Sequence, residues 1–373
     1  MRRSLVLICS SAVVALSSVA LAFPPAYNIL DIGVLPGDTN SQGFRISPGG
    51  VATGRSLPNS GAAHAYSWTQ GGGLLGLPNL ASPARAFCVG NGVNDSGQVV
   101  GSGATTVFGS GRLPLIWNSG VVSQLPLPAG QTTGDANDIN SSGVAVGSAN
   151  SGSNQRGVIY QGGTGNFITQ TGPGGTILIT AFSINDSGRA VGQGIDPNNA
   201  ARNVGFVYES SNNTAFEVGA LPGMNGALAF DVSNAGHVVG SSMLNQGSGM
   251  PFIWTGGGGM QAIPLPVGTS QGSARGVNSA GWAVGTASSA FAIPFVYDGV
   301  ATYRLADVIP GGTGWDLSTN TSSSALSISE SGIIVGTGVL NGAVHAYAMV
   351  PVPEPLTVVL LGIGAVFARR RRA

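Results

Sequence analysis

The chain has 373 residues, 43% hydrophobic and only 8% charged, with 61 glycines, 21 prolines and a formal net charge of zero. Hydrophobic content at this level, patterned in short strands, excludes a wholly disordered chain despite the glycine. There is no lysine, and between residues 23 and 352 nine arginines face fourteen acids, a net charge of −5, which argues against nucleic acid as a partner because phosphate neutralisation needs clustered Lys or Arg.

In chain order, the first element is Met1-Arg2-Arg3 followed by the apolar run Leu5 to Ala22, which closes on Ala20-Leu21-Ala22. A charged start, an apolar stretch and a small-x-small end predict a secretory signal peptide over residues 1–22, with Ala20 and Ala22 as the small residues of the cleavage site and a mature start near Phe23. Cys9 follows Ile8 rather than a small residue, so it is not read as a lipid-attachment cysteine. The exported body then carries one cysteine, Cys88, which excludes an internal disulfide framework and is read as a small buried apolar residue.

From Phe44 onward one segment recurs seven times: apolar-Asn-x-x-Gly-x-x-Val-Gly in its fullest form. The copies run Phe44 to Gly54, Asn91 to Gly101, Asn137 to Gly147, Phe182 to Gly192, Phe230 to Gly240, Arg275 to Gly285 and Leu326 to Gly336. Their closing glycines are spaced 47, 46, 45, 48, 45 and 51 residues apart. In the fourth copy, Asn185-Asp186-Ser187-Gly188 is a turn between two short strands, because Asn and Asp bond their own backbone and glycine supplies positive φ. Each copy is therefore predicted to be a tight β-hairpin. A third strand follows, as in Ala63 to Trp68, Val204 to Tyr208 and Val344 to Ala348, most copies ending in Trp or Tyr. These aromatics are assigned to packing between sheets. A fourth strand, such as Ala215 to Leu221, completes a unit of about 45 residues.

Four strands per unit and seven units predict an all-β, seven-bladed β-propeller over residues 23–350. Leu35 to Gly54 matches Leu221 to Gly240 in length, and both begin Leu-Pro-Gly. The stretch Tyr27 to Leu35 thus reads as a fourth strand without its own blade, and the last repeat lacks a fourth strand. The first strand is expected to complete the last blade and close the ring, which removes two sheet edges.

Chemistry is sparse. The histidines are His64, His237 and His345; none has zinc-ligand spacing, and His64 and His345 occupy the same repeat position. No nucleophile elbow and no phosphate-binding loop is present, so no catalytic, cofactor or metal residue is assigned. Asp95 and Asp186 fall in hairpin turns, with Ser142 or Ala235 read as their counterparts, and are assigned to turn geometry. The longer loops around Asp196-Pro197-Asn198-Asn199 and Asp316 offer oxygen ligands of the kind calcium takes.

The C-terminal segment, residues 351–373, holds Val352-Pro353-Glu354-Pro355, an apolar run over 356–368, and Arg369-Arg370-Arg371-Arg372. These three parts in this order resemble the PEP-CTERM sorting signal of Gram-negative surface proteins. The resemblance implies processing near Pro353-Glu354-Pro355 by an exosortase. Thirteen apolar residues give about 20 Å of helix, short against a hydrocarbon core of about 30 Å, which suits transient membrane association with the arginines on the cytoplasmic side. Short apolar helices are expected at both ends of the chain. The hairpins, with His64-Ala65-Tyr66 and His345-Ala346-Tyr347, resemble the HAF repeats of bacterial extracellular proteins. That family implies secretion and a propeller-like fold, with no catalytic residues to carry over. The function expected is an exported cell-surface or exopolysaccharide-matrix protein, its propeller a binding or structural module with extracellular polysaccharide as partner. The alternative is an extracellular glycan-active or other hydrolytic enzyme with its site at the channel mouth.

Overall fold

The computed structural model describes residues 25–353 apart from 60–61, 107–110 and 152–153. Seven antiparallel sheets are arranged as the blades of a β-propeller, six of four strands and one of five. Blade 1 shows the order, with Asn40–Ile46 innermost, then Ala52–Leu57, His64–Thr69 and Gly73–Gly76 outermost. Blades 2 to 6 repeat it, starting at Phe87–Val93, Thr133–Ile139, Ile177–Ile184, Gly226–Val232 and Gln271–Val277. Blade 7 has Ser324–Ile328 innermost, then Ile334–Leu340 and Ala343–Pro351, with a two-residue addition, Trp315–Asp316, against its second strand.

The strand Tyr27–Asp31 lies antiparallel to Ala343–Pro351, with Tyr27 opposite Pro351 and Asp31 opposite Tyr347. The Tyr27 amide also donates to Val308 O at 2.9 Å, and Val352 N to Ala26 O at 2.8 Å. The signal residues Ala20, Ala22, Glu354, Pro355, Arg369, Arg370, Arg371 and Arg372, and the apolar segments expected as terminal helices, lie outside the described residues. Pro353 is described, exposed just past the end of the last strand. Among the described residues no helix is long and apolar enough to cross a membrane.

The core is distributed. Seven apolar clusters fill the fold, each mostly from side chains of neighbouring blades. Val191, Val207 and Val218 of blade 4 meet Ala227, Val238 and Phe252 of blade 5, for example. Third-strand rings supply the bulk of these clusters: Tyr66, Trp117, Phe206, Phe252, Phe295 and Tyr347 are fully buried. Their polar atoms are satisfied. Tyr66 Oη donates to Gln42 O at 3.0 Å, Tyr347 Oη to Ser324 O at 2.8 Å, and Trp117 Nε1 to Pro78 O at 2.7 Å. The aromatic positions of the repeat thus serve packing.

The closing glycine of the repeat has a steric cause. A Cβ on Gly54 would lie 2.0 Å from Gln42 O, and one on Gly240 would lie 1.8 Å from Leu228 O. Each such glycine faces a β-bulge in the innermost strand, as between Gly43 and Arg45 or between Ala229 and Asp231. The bulge recurs in all seven innermost strands. A bulge adds one residue and turns the strand, so two consecutive side chains per blade face inward on the channel. Those side chains make the site.

Candidate functional site

The inward positions form two tiers. Next to the hairpin turns stand Arg45, Gly92, Asp138, Ser183, Asp231, Gly276 and Ser327, one per blade. One residue earlier, on the bulges, stand Phe44, Asn91, Asn137, Phe182, Phe230, Arg275 and Leu326. Neither tier is uniform, although the flanking positions are.

The upper tier is closed by a cross-channel clamp. Arg45 reaches from blade 1 and places one Nη 2.6 Å from Asp138 Oδ2 on blade 3 and 2.7 Å from Asp231 Oδ1 on blade 5. The same nitrogen donates to Ser183 Oγ of blade 4 at 2.7 Å. That hydroxyl lies 2.9 Å and 2.7 Å from the two carboxylates. Each Asp also accepts an amide from the next blade, Asp138 from Ile184 N at 3.0 Å and Asp231 from Val277 N at 2.9 Å. Both carboxylates are buried. Burial pushes the Asp138 carboxyl above its ordinary value; Arg45 pulls the other way, and the neighbouring Asp231 adds to the rise. The cavity between this cluster and the turns is about 60 Å³. That is room for a water or two, far below the roughly 300 Å³ at which ligand pockets begin.

Around the clamp the turns themselves are linked. Asn94 Nδ2 donates to Asn140 O at 3.0 Å, Asn140 to Asn185 O at 3.1 Å and Asn185 to Ser233 O at 3.0 Å. Asn278 continues the ladder to Ser329 O at 3.3 Å. Each of these asparagines also accepts an amide of its own turn through Oδ1. Asp95 and Asp186 belong to the same ring, accepting Gly49 N at 2.6 Å and Ser141 N at 2.8 Å. The positions in register with them are Ser141 and Asn234, because Asn140 and Ser233 are the turn residues that bond Val144 O and His237 O. This corrects the counterparts read from sequence, Ser142 and Ala235, by one residue. The ladder lapses at the seam of blades 5 and 6. There Ser233 replaces Asn and Asp231 bridges to Val277, and at the seams on either side of blade 1 the hydroxyls of Ser329 and Ser47 likewise bond only their own turns.

His237 sits at that seam against the turn glycine Gly281, its Nδ1 buried without a partner. His64 and His345 are equivalent in space as in sequence, each with Nδ1 3.0 Å from an aspartate, Asp38 and Asp31 respectively. The three histidines stand on blades 1, 5 and 7 and share no site. Among the described residues no three His, Cys, Asp or Glu side chains are grouped as a metal ion requires. Cys88 is buried, and burial pushes its thiol up, so the thiolate is disfavoured. Asp196 accepts Asn198 N at 2.9 Å and pairs with Arg202, and these bonds hold its carboxyl below the usual range. Burial would raise Asp316, but Ser318 N, Thr319 N and Thr319 Oγ1 hold it down to about 2. The oxygens of both loop aspartates are taken by their own loops.

The end opposite the hairpin turns carries the joins between second and third strands and between blades. Here a cleft of about 380 Å³ opens between blades 2 and 3. It is lined by Arg112, Thr132, Thr133, Asp135, Asn150 and Gln155 among others. Arg112 pairs with Asp135 at 2.9 Å, Gln155 Nε2 donates to Thr180 Oγ1 at 2.7 Å, and Thr133 Oγ1 bonds Asn150 Oδ1. Polar groups on fixed strands around a cleft of this volume suit one or two sugar rings.

Sequence reading missed both the clamp and the cleft. The clamp was detectable by aligning the seven copies at the residue before the turn's apolar position, where charge appears in three of them. The cleft had no sequence signal, because its residues come from two blades and four separate strands and loops.

No family model matches the chain, and no curated protein does. Solved structures do. An oligogalacturonate lyase from Vibrio parahaemolyticus is 11% identical, with a TM-score of 0.48 over 88% of this chain and 98% of its own. TolB from Acinetobacter baumannii is 11% identical, with a TM-score of 0.41 over 79% and 78%. A sialidase mutant from Trypanosoma rangeli is 10% identical, with a TM-score of 0.40 over 87% and 58%. At such identity no residue of the site is read across from them.

Proposed function

We propose that this protein is an exported cell-surface or extracellular-matrix component whose propeller binds polysaccharide at the end opposite the hairpin turns. The observation that carries the reading is the contrast in space: a polar cleft of about 380 Å³ at that end against about 60 Å³ beneath the turns. The acidic, lysine-free body and the PEP-CTERM-like tail support the same reading. In it, an exosortase acts near Pro353-Glu354-Pro355, and the segment 356–368 associates with the membrane only in transit. The strand Tyr27–Asp31, paired with Ala343–Pro351, closes the ring.

The reading is tested by passing the full chain over polysaccharide fractions of the producing cell. Retention that falls at least tenfold in Asn150→Ala is the expected result. Absence of retention on every fraction overturns it. Removal of residues 353–373 is expected to release the protein from the cell surface; a truncated chain still held there removes the sorting role.

One observation favours hydrolysis as a second reading, the meeting of Asp138 and Asp231 in the channel. A pair of carboxylates is what glycoside hydrolysis requires. Here, however, their facing oxygens are taken by Arg45 and Ser183, with no volume for a substrate. Release of reducing ends by the wild type, lost in Asp231→Asn, would replace the binding reading.

A further inference from the structure

The lower tier of the channel contains the same unusual arrangement twice. On blade 6, Arg275 lies over the ring of Phe230 on blade 5, 3.8 Å from its centroid, and its Nε donates to Ser273 Oγ at 3.0 Å. On blade 1, Arg55 lies over Phe44 at 5.7 Å, and its Nε donates to Gln42 Oε1 at 2.8 Å. Phe230 is itself braced by Phe182 of blade 4, ring centroids 5.5 Å apart. In both cases the ring lies beneath the guanidinium and the Nε bond restricts its rotation. Among the described residues neither pair of Nη groups has a hydrogen-bond partner, and none of them is buried, so each guanidinium offers a free fork.

Neither fork has an acid. Among the described residues Arg45, Arg112, Arg189 and Arg202 are paired with carboxylates; Arg55 and Arg275, like Arg85, Arg156 and Arg304, are not, and what sets these two apart is the phenylalanine ring beneath each. Burial alone lowers the pKa of each, with no carboxylate acting to raise it. Arg275 is nonetheless exposed, and Arg55 half-buried. Both keep access to solvent. A guanidinium is weakly hydrated, always charged and matched to carboxylate geometry, so an unpaired, rotationally restricted fork is an anion receptor already ordered. In a body with a net charge of −5, leaving two such forks unpaired is not a matter of acid shortage. Opposite blade 6, on blades 2 and 3, stand the amides of Asn91 and Asn137, each held by a carbonyl of the next blade, Ala136 O at 3.0 Å and Ala181 O at 2.8 Å. Their Oδ1 atoms remain as acceptors for hydroxyls.

We propose that the lower channel receives the carboxylates of an acidic polysaccharide, uronate residues docking on the Arg275 and Arg55 forks with their hydroxyls toward Asn91 and Asn137. This rests on the polysaccharide-binding reading and names the chemistry of the ligand. The clamp at Arg45 closes the far side of the channel, so the ligand enters and leaves by the loop end. No bond is made or broken.

The test is calorimetric titration of the full chain with hexamers of β-(1→4)-glucuronate, galacturonate and mannuronate, each beside its carboxyl-reduced form. For the first, that form is cellohexaose. At least one uronate hexamer is expected to bind at least about tenfold more tightly than its reduced form, the loss typical of one charge-assisted bond. The preference should vanish in Arg275→Gln with Arg55→Gln. Arg275→Lys keeps the charge without the fork and should retain only part of it. Far-ultraviolet melting of each variant separates lost binding from lost fold. Failure of every uronate to bind, or a preference intact in the double variant, overturns the proposal, as does binding of a sulfated hexamer alone. If the neutral hexamers bind and Asn150→Ala abolishes that binding, the polysaccharide reading stands and only the assignment of uronate falls.

Discussion

The two ends of this ring are built on different terms. At the hairpin end the turns have one length and nearly one sequence, and each asparagine bonds both its own turn and the next blade. At the loop end the connections vary from a few residues to the stretch that includes Trp315–Asp316, and side-chain bonds there stay mostly within one loop. The asparagine contact recurs at four of the seven seams and links blade to blade in one form; loop-end contacts differ from blade to blade, whether they stay within a loop or cross to a neighbour as Arg112–Asp135 and Gln155–Thr180 do. The hairpin end is therefore where stability is concentrated, and the loop end is where sequence is at liberty to differ and to recognise something.

Breaking the clamp is the harshest challenge to that contrast. Arg45→Met leaves Asp138 and Asp231 buried without a cation, which costs about 3–5 kcal/mol at neutral pH. Thermal melting should fall by many degrees. The Asp138 carboxyl is already raised by burial, so its charged form is disfavoured in the folded state. A raised carboxyl contributes stability below its ordinary value and loses it as pH rises through the folded one. The variant should accordingly regain stability relative to wild type as pH falls from 7 toward 4. A deficit that stays constant over that range would mean that lost packing, not charge, is responsible.

Deleting residues 27–31 should come next in size. It removes a five-residue ladder and buried Tyr27 and bares the edge of Ala343–Pro351. A melting curve unchanged by the deletion would remove this strand from the closure. Asn140→Ala follows. It loses the bond to Asn185 O and the acceptor for Val144 N, for about 1–3 kcal/mol by urea unfolding. An effect below 0.5 kcal/mol, the usual range for surface changes, would show that the ladder is ornamental.

The smallest effect belongs to the loop end. Asp316→Asn should change stability at pH 7 by no more than a few tenths of a kcal/mol, since the carboxylate is largely open to solvent. Its depressed value still leaves a mark. A lowered carboxyl stabilises above its ordinary value near 4 and loses that contribution as pH falls through about 2. The wild type should lose stability slightly more steeply than the variant between pH 4 and 2. Equal slopes would separate Asp316 from the acid limb.

The fold was legible because its determinants are local and repeated seven times. The asparagine turn and the aromatic third strand each state a blade by themselves, and the bulge that requires Gly54 or Gly240 leaves that glycine as its trace. The site was not legible for the converse reason. Arg45, Asp138, Ser183 and Asp231 are separated by dozens of residues and meet only because the ring brings blades 1, 3, 4 and 5 to one axis. Arg55 and Arg275 likewise look like isolated charges until Phe44 and Phe230 are seen beneath them. The histidines and the loop aspartates attracted attention by residue type, yet each is satisfied nearby or packed at a seam.

The account's central claim is that stability and recognition occupy opposite ends of the ring. The most direct test measures melting temperature and binding to the uronate hexamers together, for Asn140→Ala and for Arg275→Gln. The account predicts that Asn140→Ala lowers the melting temperature and leaves affinity within twofold. It predicts that Arg275→Gln lowers affinity at least about tenfold and leaves the melting temperature nearly unchanged. The opposite pattern, or both variants losing both properties in parallel, would contradict it.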